Sequence, residues 1–228
     1  MTPRLPGLPA VRANMIASLD GAASSGGLSG ALGGPPDKVV FHALRALADV
    51  ILIGAGTMRA EKYRPARLDD ETRRRRASRG LSPVPPIAVL TTSCRFDWTL
   101  PFFSEAEARP VVITAQAAAP SDRAAASRVA DVLVAGETSV DLTRALGALG
   151  EMGFTNVLTE GGPMILGQLV AAGLLDELCL TLSPSLIGGD ADRIVGHAVL
   201  REVIRGELGH VLEADGFLFL RYTIGSAP

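Results

Sequence analysis

Short, continuous apolar runs alternate with helix-like segments along the first two thirds of the chain, and this alternation restricts the fold more than any other feature. "VRANMIAS" (11–18), "DVILIGAG" (49–56), "PIAVLTT" (86–92), "PVVITA" (110–115), "ADVLVAG" (130–136) and "TNVLTEGG" (155–162) are the β-prone runs. Their apolar residues follow one another instead of alternating with polar ones, as in strands covered on both faces. Between them, "DKVVFHALRALA" places Val39, Val40, Ala43, Leu44 and Leu47 at helical spacing. "SVDLTRALGALGEMG" does the same with Leu142, Leu146 and Leu149, with Asp141 near its start and Gly150 and Gly153 near its end. The pattern predicts an α/β fold: a three-layer α/β/α arrangement around a mostly parallel central sheet.

The last third changes character. "DELCLTLSPSLIGG" and "GHVLEADGFLFLRYTI" are long β-prone runs, and Asp215-Gly216 is a hairpin signal within the second. They predict an antiparallel C-terminal extension at one edge of the sheet. No internal repeat or linker interrupts the 228 residues, so a single domain over 1–228 is expected, with about the first ten residues less ordered. The polar, arginine-rich stretch 62–84 is expected to be the least ordered internal part. Its run Arg73 to Arg76 follows the acids Asp69, Asp70 and Glu71 and lacks neighbouring aromatics, so it is read as a solvated helical turn or mobile loop and not as a nucleic-acid patch.

A formal net charge of −2 argues against a nucleic-acid partner, and no apolar run reaches the ~18 residues of a membrane span. The first residues lack the charged-then-apolar pattern of a signal peptide. Cys94 and Cys179 are read as buried free thiols of a cytoplasmic protein, and two Cys with three scattered His make no metal-site spacing.

In an open α/β sheet, ligands bind at the carboxyl ends of the strands. Four such ends carry chemistry here. "SLDGAASSGGLSG" follows the first strand and offers Asp20 and a Gly/Ser-rich lid over 21–34. "GAGTMRAE" follows the second, with Thr57 near the start of a short helix. "TTSCR" supplies Ser93 and Arg95, a hydroxyl and a cation suited to a phosphate. After "NVLT" come Glu160, Gly161, Gly162 and Pro163. Pro163 suits the first helical turn, and the glycines leave the helix entrance bare for an anion. A carboxylate at this apolar junction is costly unless it is hydrogen-bonded or functional. The G-x-G-x-x-G dinucleotide fingerprint and a Ser/His/Asp triad are both absent.

Taken in order, "ANMIASLDG", "FHALRALADVILIGAGTMRAEKYRP", "VLTEGGPMILGQLVAAGLLDELCLTLSPSLIGG" and "FLFLRY" resemble the pyrimidine reductases of riboflavin biosynthesis, the C-terminal reductase family of the bifunctional deaminase/reductases. The resemblance covers nearly the whole chain and implies a dihydrofolate-reductase-like fold. It implies reduction of 5-amino-6-(5-phosphoribosylamino)uracil to its ribitylamino product, with NADPH delivering a hydride to C1 of the sugar. The implied cofactor contacts are Ala17, Thr57, Glu61, Ser93, Arg95, Gly161, Gly162, Pro163, Met164, Ile165, Leu166 and Gly167. The implied substrate contacts are Asn14, Arg45, Arg64 or Arg67, and Glu160. Glu160, Asp20 and a bound water all stand as proton donors. The family is often a homodimer, and the edge strands are its expected interface.

Two departures bear on the substrate. Ala60-Glu61-Lys62-Tyr63 stands where A-D-D-P is common, and Leu28 stands where the lid usually has Trp. They keep a pteridine reductase acting on dihydrofolate as an alternative, with a catalytically silent nucleotide-binding protein as a third reading. The H-x-E and P-C-x-x-C elements of a zinc deaminase are missing, so deamination is expected of another protein.

Overall fold

Every run read as a strand forms one. The computed structural model describes residues 7–196 and 198–225, so the expectation for the first residues lies, through residue 6, outside the described residues. The chain divides into two compact units, one of residues 10–44 and 158–225, the other of 7–9 and 45–157.

In the second unit, β2 (Val50–Gly54), β3 (Ile87–Leu90), β4 (Val111–Thr114) and β5 (Asp131–Val134) are all parallel, in the order β5-β4-β3-β2. β2, β3 and β4 are buried at every residue, as their unbroken apolar runs require. Ile51, Leu52 and Ile53 are fully buried, and each such side chain contributes about 1.5–3 kcal/mol relative to exposure. β5 is half-exposed and closes the unit's edge. The helices are α2 (Ala55–Ala60), α3 (Asp70–Ala77), α4 (Pro101–Ser104), α5 (Pro120–Ala126) and α6 (Leu142–Glu151). α6 starts where Asp141 accepts the Thr143 and Arg144 N–H groups, and it buries Leu142, Ala145, Leu146 and Leu149 on one face.

Within 62–84, the stretch expected to be least ordered, α3 is a capped helix. The Asp69 carboxylate accepts the Thr72 N–H at 2.8 Å. Acids in the first turn and arginines in the last suit the helix dipole. The arginine run is not uniformly solvated either, since Arg76 is only 2% exposed.

In the first unit, β1 (Ala10–Ser18) runs parallel to β7 (Glu177–Ser183), in register from Arg12 opposite Glu177 to Ser18 opposite Ser183. β9 (Phe217–Ile224) is antiparallel to β7, and β8 (Gly206–Ala214) is antiparallel to β9. Asp215 and Gly216 both have positive φ, 51° and 80°, as a tight primed hairpin turn demands. The expected antiparallel extension is therefore present. Coverage on both faces does not reach it: eight of the nine residues of β8 are exposed. β6 (Asn156–Thr159) spans the change of unit, and α7 (Pro163–Ala171) follows it.

Helix α1 (Pro35–Leu47) forms where the helical spacing predicts it, but its apolar stripe is not its buried side. Val39 and Leu47, two members of its apolar stripe, are 69% and 47% exposed, and the buried residue of the helix is Arg45. Hydrophobic spacing identifies a helix, but which side is covered depends on what the rest of the chain places there. Polar bonds hold α1 near its two ends: the Thr181 hydroxyl donates to Asp37 at 2.8 Å, and Arg76 donates to carbonyls of the last turn.

Cys94 and Cys179 are both buried free thiols, pushed up from the usual thiol range first by burial. Among the described residues no helix is long and apolar enough to cross a membrane.

Candidate active site

The predicted site residues fall into two sets, one in each unit. In the first unit the turn after β1 is stitched to the segment after β7. Strand register places Ser18 opposite Ser183, so the two chains leave the sheet side by side. The Leu19 N–H donates to the Ser185 carbonyl at 2.9 Å and the Ala23 N–H to the Asp192 carbonyl at 2.7 Å. The Asp20 carboxylate sits between these bonds. It accepts the Ser18 hydroxyl, the Ile187 N–H at 3.1 Å and the Gly188 N–H at 2.7 Å. These bonds, the Ser18 hydroxyl foremost, hold its carboxyl down at about 2. At neutral pH Asp20 is ionised and committed to a structural clamp, a poor arrangement for giving up a proton.

The junction after β6 is built differently. Glu160 is 7% exposed and follows Thr159, which is fully buried. The Thr159 hydroxyl accepts the Gly161 N–H at 3.3 Å. Gly161 has φ +82° and lies so close to Met15 that a Cβ would stand 3.1 Å from its sulfur. Both conditions select glycine. The Gly161–Gly162 peptide is cis. Gly162 precedes α7 with no side-chain cap, and Pro163 takes the first helical position. The Ile165 and Leu166 N–H groups both turn back to the Gly162 carbonyl, at 3.0 and 3.1 Å. The Met164 N–H is then the first-turn donor with no acceptor inside the helix. Met164 is 57% exposed, while Ile165, Leu166 and Gly167 are buried. Gly167 faces Gly196 and Ala198, and a Cβ on it would meet the Gly196 carbonyl oxygen at 2.5 Å. Asn14 and Ala17 are three residues apart on β1, so strand alternation puts them on opposite faces.

In the second unit Gly54 pairs with Leu90, so the turns after β2, with Thr57 and Glu61, and after β3, with Ser93 and Arg95, leave the same edge of the sheet. Thr57 lies in α2 and accepts, through its carbonyl, the N–H of Glu61, which ends the helix. The Ser93 hydroxyl accepts the Arg95 N–H at 3.4 Å, and the Arg95 side chain pairs with Asp122 on α5 at 2.9 Å. Arg45 is buried with its guanidinium carbon 5.7 Å from the centre of the Tyr63 ring, within cation–π range. Arg64 and Arg67 converge on a single oxygen of Glu105, at 3.3 and 3.0 Å, near the surface.

Three residues near these sets were not singled out as functional from the sequence. Tyr63 was noted only as a departure, and its place under Arg45 depends on folding. Asp37 is a half-buried carboxyl pushed up by burial and partly compensated by the Thr181 hydroxyl. Arg76 was hidden within the run of arginines. Among the described residues no group of His, Cys, Asp and Glu is arranged to hold a metal ion.

The model of the RibD C-terminal domain family matches residues 9–215. A 2,5-diamino-6-ribosylamino-4(3H)-pyrimidinone 5′-phosphate reductase of Archaeoglobus fulgidus is 31% identical over 182 residues, 79% of this chain and 83% of that protein. The protein of the same name from Methanothermobacter thermautotrophicus is 31% identical over 224 residues, 95% of this chain and 98% of its own. The crystal structure of a pyrimidine reductase-like protein from Corynebacterium diphtheriae superposes with a TM-score of 0.86 at 29% identity, covering 96% of this chain and 93% of that one. A dihydrofolate reductase from Enterococcus faecalis shares the fold, with a TM-score of 0.52 at 13% identity, covering 95% and 97%. The chain belongs to the RibD C-terminal domain family, on a dihydrofolate-reductase-like fold.

Proposed function

We propose that this chain is an NADPH-dependent reductase of a phosphoribosylamino-pyrimidine in riboflavin biosynthesis. One observation carries the reading beyond family membership: a buried carboxylate, Glu160, directly precedes two glycines and a helix start with no side-chain cap. A hydride transfer needs a cofactor held still, water kept away and a polar group at the reacting carbon. In this proposal Gly161, Gly162, Pro163 and Met164 receive the cofactor pyrophosphate, with Ile165, Leu166 and Gly167 forming the packed support beneath. Ala17, Thr57, Glu61, Ser93 and Arg95 complete the cofactor contacts, with Arg95 exchanging Asp122 for the 2′-phosphate of NADPH. Asn14 and Glu160 face the pyrimidine and ribose, and Arg45, with Arg64 or Arg67, takes the substrate phosphate. NADPH supplies the hydride. Glu160 is the residue that handles the proton, and Asp20 holds the surrounding loops.

The substrate is a phosphorylated pyrimidine in either of two states. Deaminated uracil is the expectation from the sequence, whereas two relatives that match along most of their length are named for the 2,5-diamino pyrimidinone. The names favour the diamino form here. Purified protein is mixed with NADPH and each pyrimidine in turn, and nicotinamide absorbance is followed at about 340 nm. Oxidation with one or both pyrimidines, and a higher kcat/KM than with dihydrofolate, is expected. Folded protein that binds NADPH and oxidises it with neither pyrimidine contradicts the proposal; oxidation with dihydrofolate alone selects the pteridine reading.

The proposal includes a homodimer through the C-terminal strands. Leu208, Val211 and Leu212 on β8 are about half-exposed, and an edge strand with apolar side chains invites pairing. It also includes the cytoplasm, a reducing compartment suited to two free thiols.

A further inference from the structure

The four consecutive arginines of α3 meet different environments. Arg73 forms a bidentate pair with Glu107 at 2.7 and 2.9 Å, and Arg75 stands 3.9 Å from Glu71 on the surface. Arg76 turns inward. Its Nε donates to the Ser82 carbonyl at 2.8 Å. Its Nη1 donates to the carbonyls of Ala46 at 2.9 Å and Ala48 at 2.7 Å and reaches that of Arg45 at 3.5 Å.

The three carbonyls that Nη1 meets lie at the end of α1, Ala48 being the residue just past it. The last carbonyls of a helix lack intrahelical partners and carry the negative end of its dipole, so a cation there is favourable. A glycine or solvent closes most helix ends without burying a charge. Here a guanidinium is taken out of water for the task, and the turn it grips carries Arg45. The chain leading into α3 carries the other parts of the same site: Tyr63 beneath Arg45, then Arg64 and Arg67. Asp69 caps the near end of α3, so a short, braced connection runs from these residues to Arg76.

We infer that Arg76 is a positioning residue for substrate-phosphate binding: by tying α3 to the last turn of α1, it fixes Arg45 over Tyr63 and beside the segment bearing Arg64 and Arg67. The inference rests on the reading of Arg45 as a phosphate ligand. Arg76 itself does not touch substrate. Its effect belongs to KM for the phosphorylated pyrimidine, not to kcat or to cofactor affinity.

The test uses the whole chain with Arg76→Met, Arg76→Lys, Arg45→Ala and the Arg45→Ala/Arg76→Met double variant. Folding is checked by circular dichroism and melting temperature, NADPH affinity by nucleotide fluorescence. Arg76→Met is expected to raise KM roughly tenfold, with kcat and NADPH affinity within about twofold of wild type. Lysine keeps a cation but not the fork of donors, so Arg76→Lys falls between. Because Arg76 acts through Arg45, the double variant is expected to be no worse than Arg45→Ala alone. If Arg76→Met does not fold, Arg76→Lys against Arg45→Ala gives the same comparison. A raised KM in Arg45→Ala beside a wild-type KM in both Arg76 variants overturns the inference alone. So do multiplied effects in the double variant, or kcat and NADPH affinity falling together with KM. A wild-type KM in Arg45→Ala overturns the phosphate reading of Arg45 and the inference with it.

Discussion

The turn after β1 and the junction after β6 both place a carboxylate just beyond the end of a strand, and they use it in opposite ways. Asp20 is exposed, yet its oxygens take a hydroxyl and two backbone N–H groups that tie the turn to residues 187 and 188. Glu160 is buried and precedes a helix start with no side-chain cap, where the Pro163 carbonyl accepts the Gly196 N–H at 3.1 Å. Exposure alone therefore misleads about availability. A carboxylate in water whose lone pairs are filled acts as a rivet, and burial at a strand-helix junction is a setting in which a carboxylate serves chemistry.

The comparison breaks most directly at Glu160. Glu160→Gln keeps the shape and removes the proton-exchanging group, and kcat is expected to fall about a hundredfold or more with NADPH affinity retained, measured by steady-state oxidation and fluorescence titration. Next in size is Gly161→Ala. A side chain there must adopt φ +82° and press within 3.1 Å of the Met15 sulfur. The left-handed backbone alone costs about 1–2 kcal/mol, so both the melting temperature and NADPH affinity should drop. A variant with wild-type cofactor affinity speaks against this junction as the cradle.

Asp20→Asn sharpens the other half. It should leave kcat within a few-fold while loosening the clamp, with its signature in acid stability. The Asp20 carboxyl titrates at about 2 in the folded chain against the ordinary 3.8, so the unfolded chain takes up the proton first. The stabilisation is complete above pH ~4 and is lost as pH falls toward the folded value. The deficit of Asp20→Asn relative to wild type should accordingly be constant from neutral pH down to about 4 and close below it, read from denaturant melts across that range. A deficit that widens in acid contradicts the clamp. The smallest effect on turnover is expected from Leu212→Glu on β8, which should convert a dimer to monomer in sedimentation at micromolar protein. A wild-type protein that already sediments as a monomer removes the dimer from the proposal.

How much of this was legible before folding depends on the range of the interaction. The strands β2, β3 and β4 were readable because an unbroken apolar run carries its burial within itself. The Asp215-Gly216 hairpin was readable because positive φ is a demand on the turn residues themselves. The junction at Glu160 was readable for the same reason, its acid, glycines and proline lying within four residues. Asp20 was visible as a turn residue, but two of its partners, Ile187 and Gly188, are 167 and 168 positions away. Arg76 was lost among its neighbours because most of the carbonyls that distinguish it lie near the end of α1, some thirty positions earlier. Helix α1 is legible from its spacing and its covered side is not, since Val39 and Leu47 have the right spacing and yet are exposed among the described residues.

The difference between the two carboxylates comes down to one experiment: single-turnover oxidation of pre-bound NADPH by the phosphorylated pyrimidine in Glu160→Gln and in Asp20→Asn, at neutral pH. The account predicts a rate at least about thirtyfold slower in Glu160→Gln than in Asp20→Asn, with both variants loading NADPH normally. Equal rates, or the larger loss in Asp20→Asn, would contradict it.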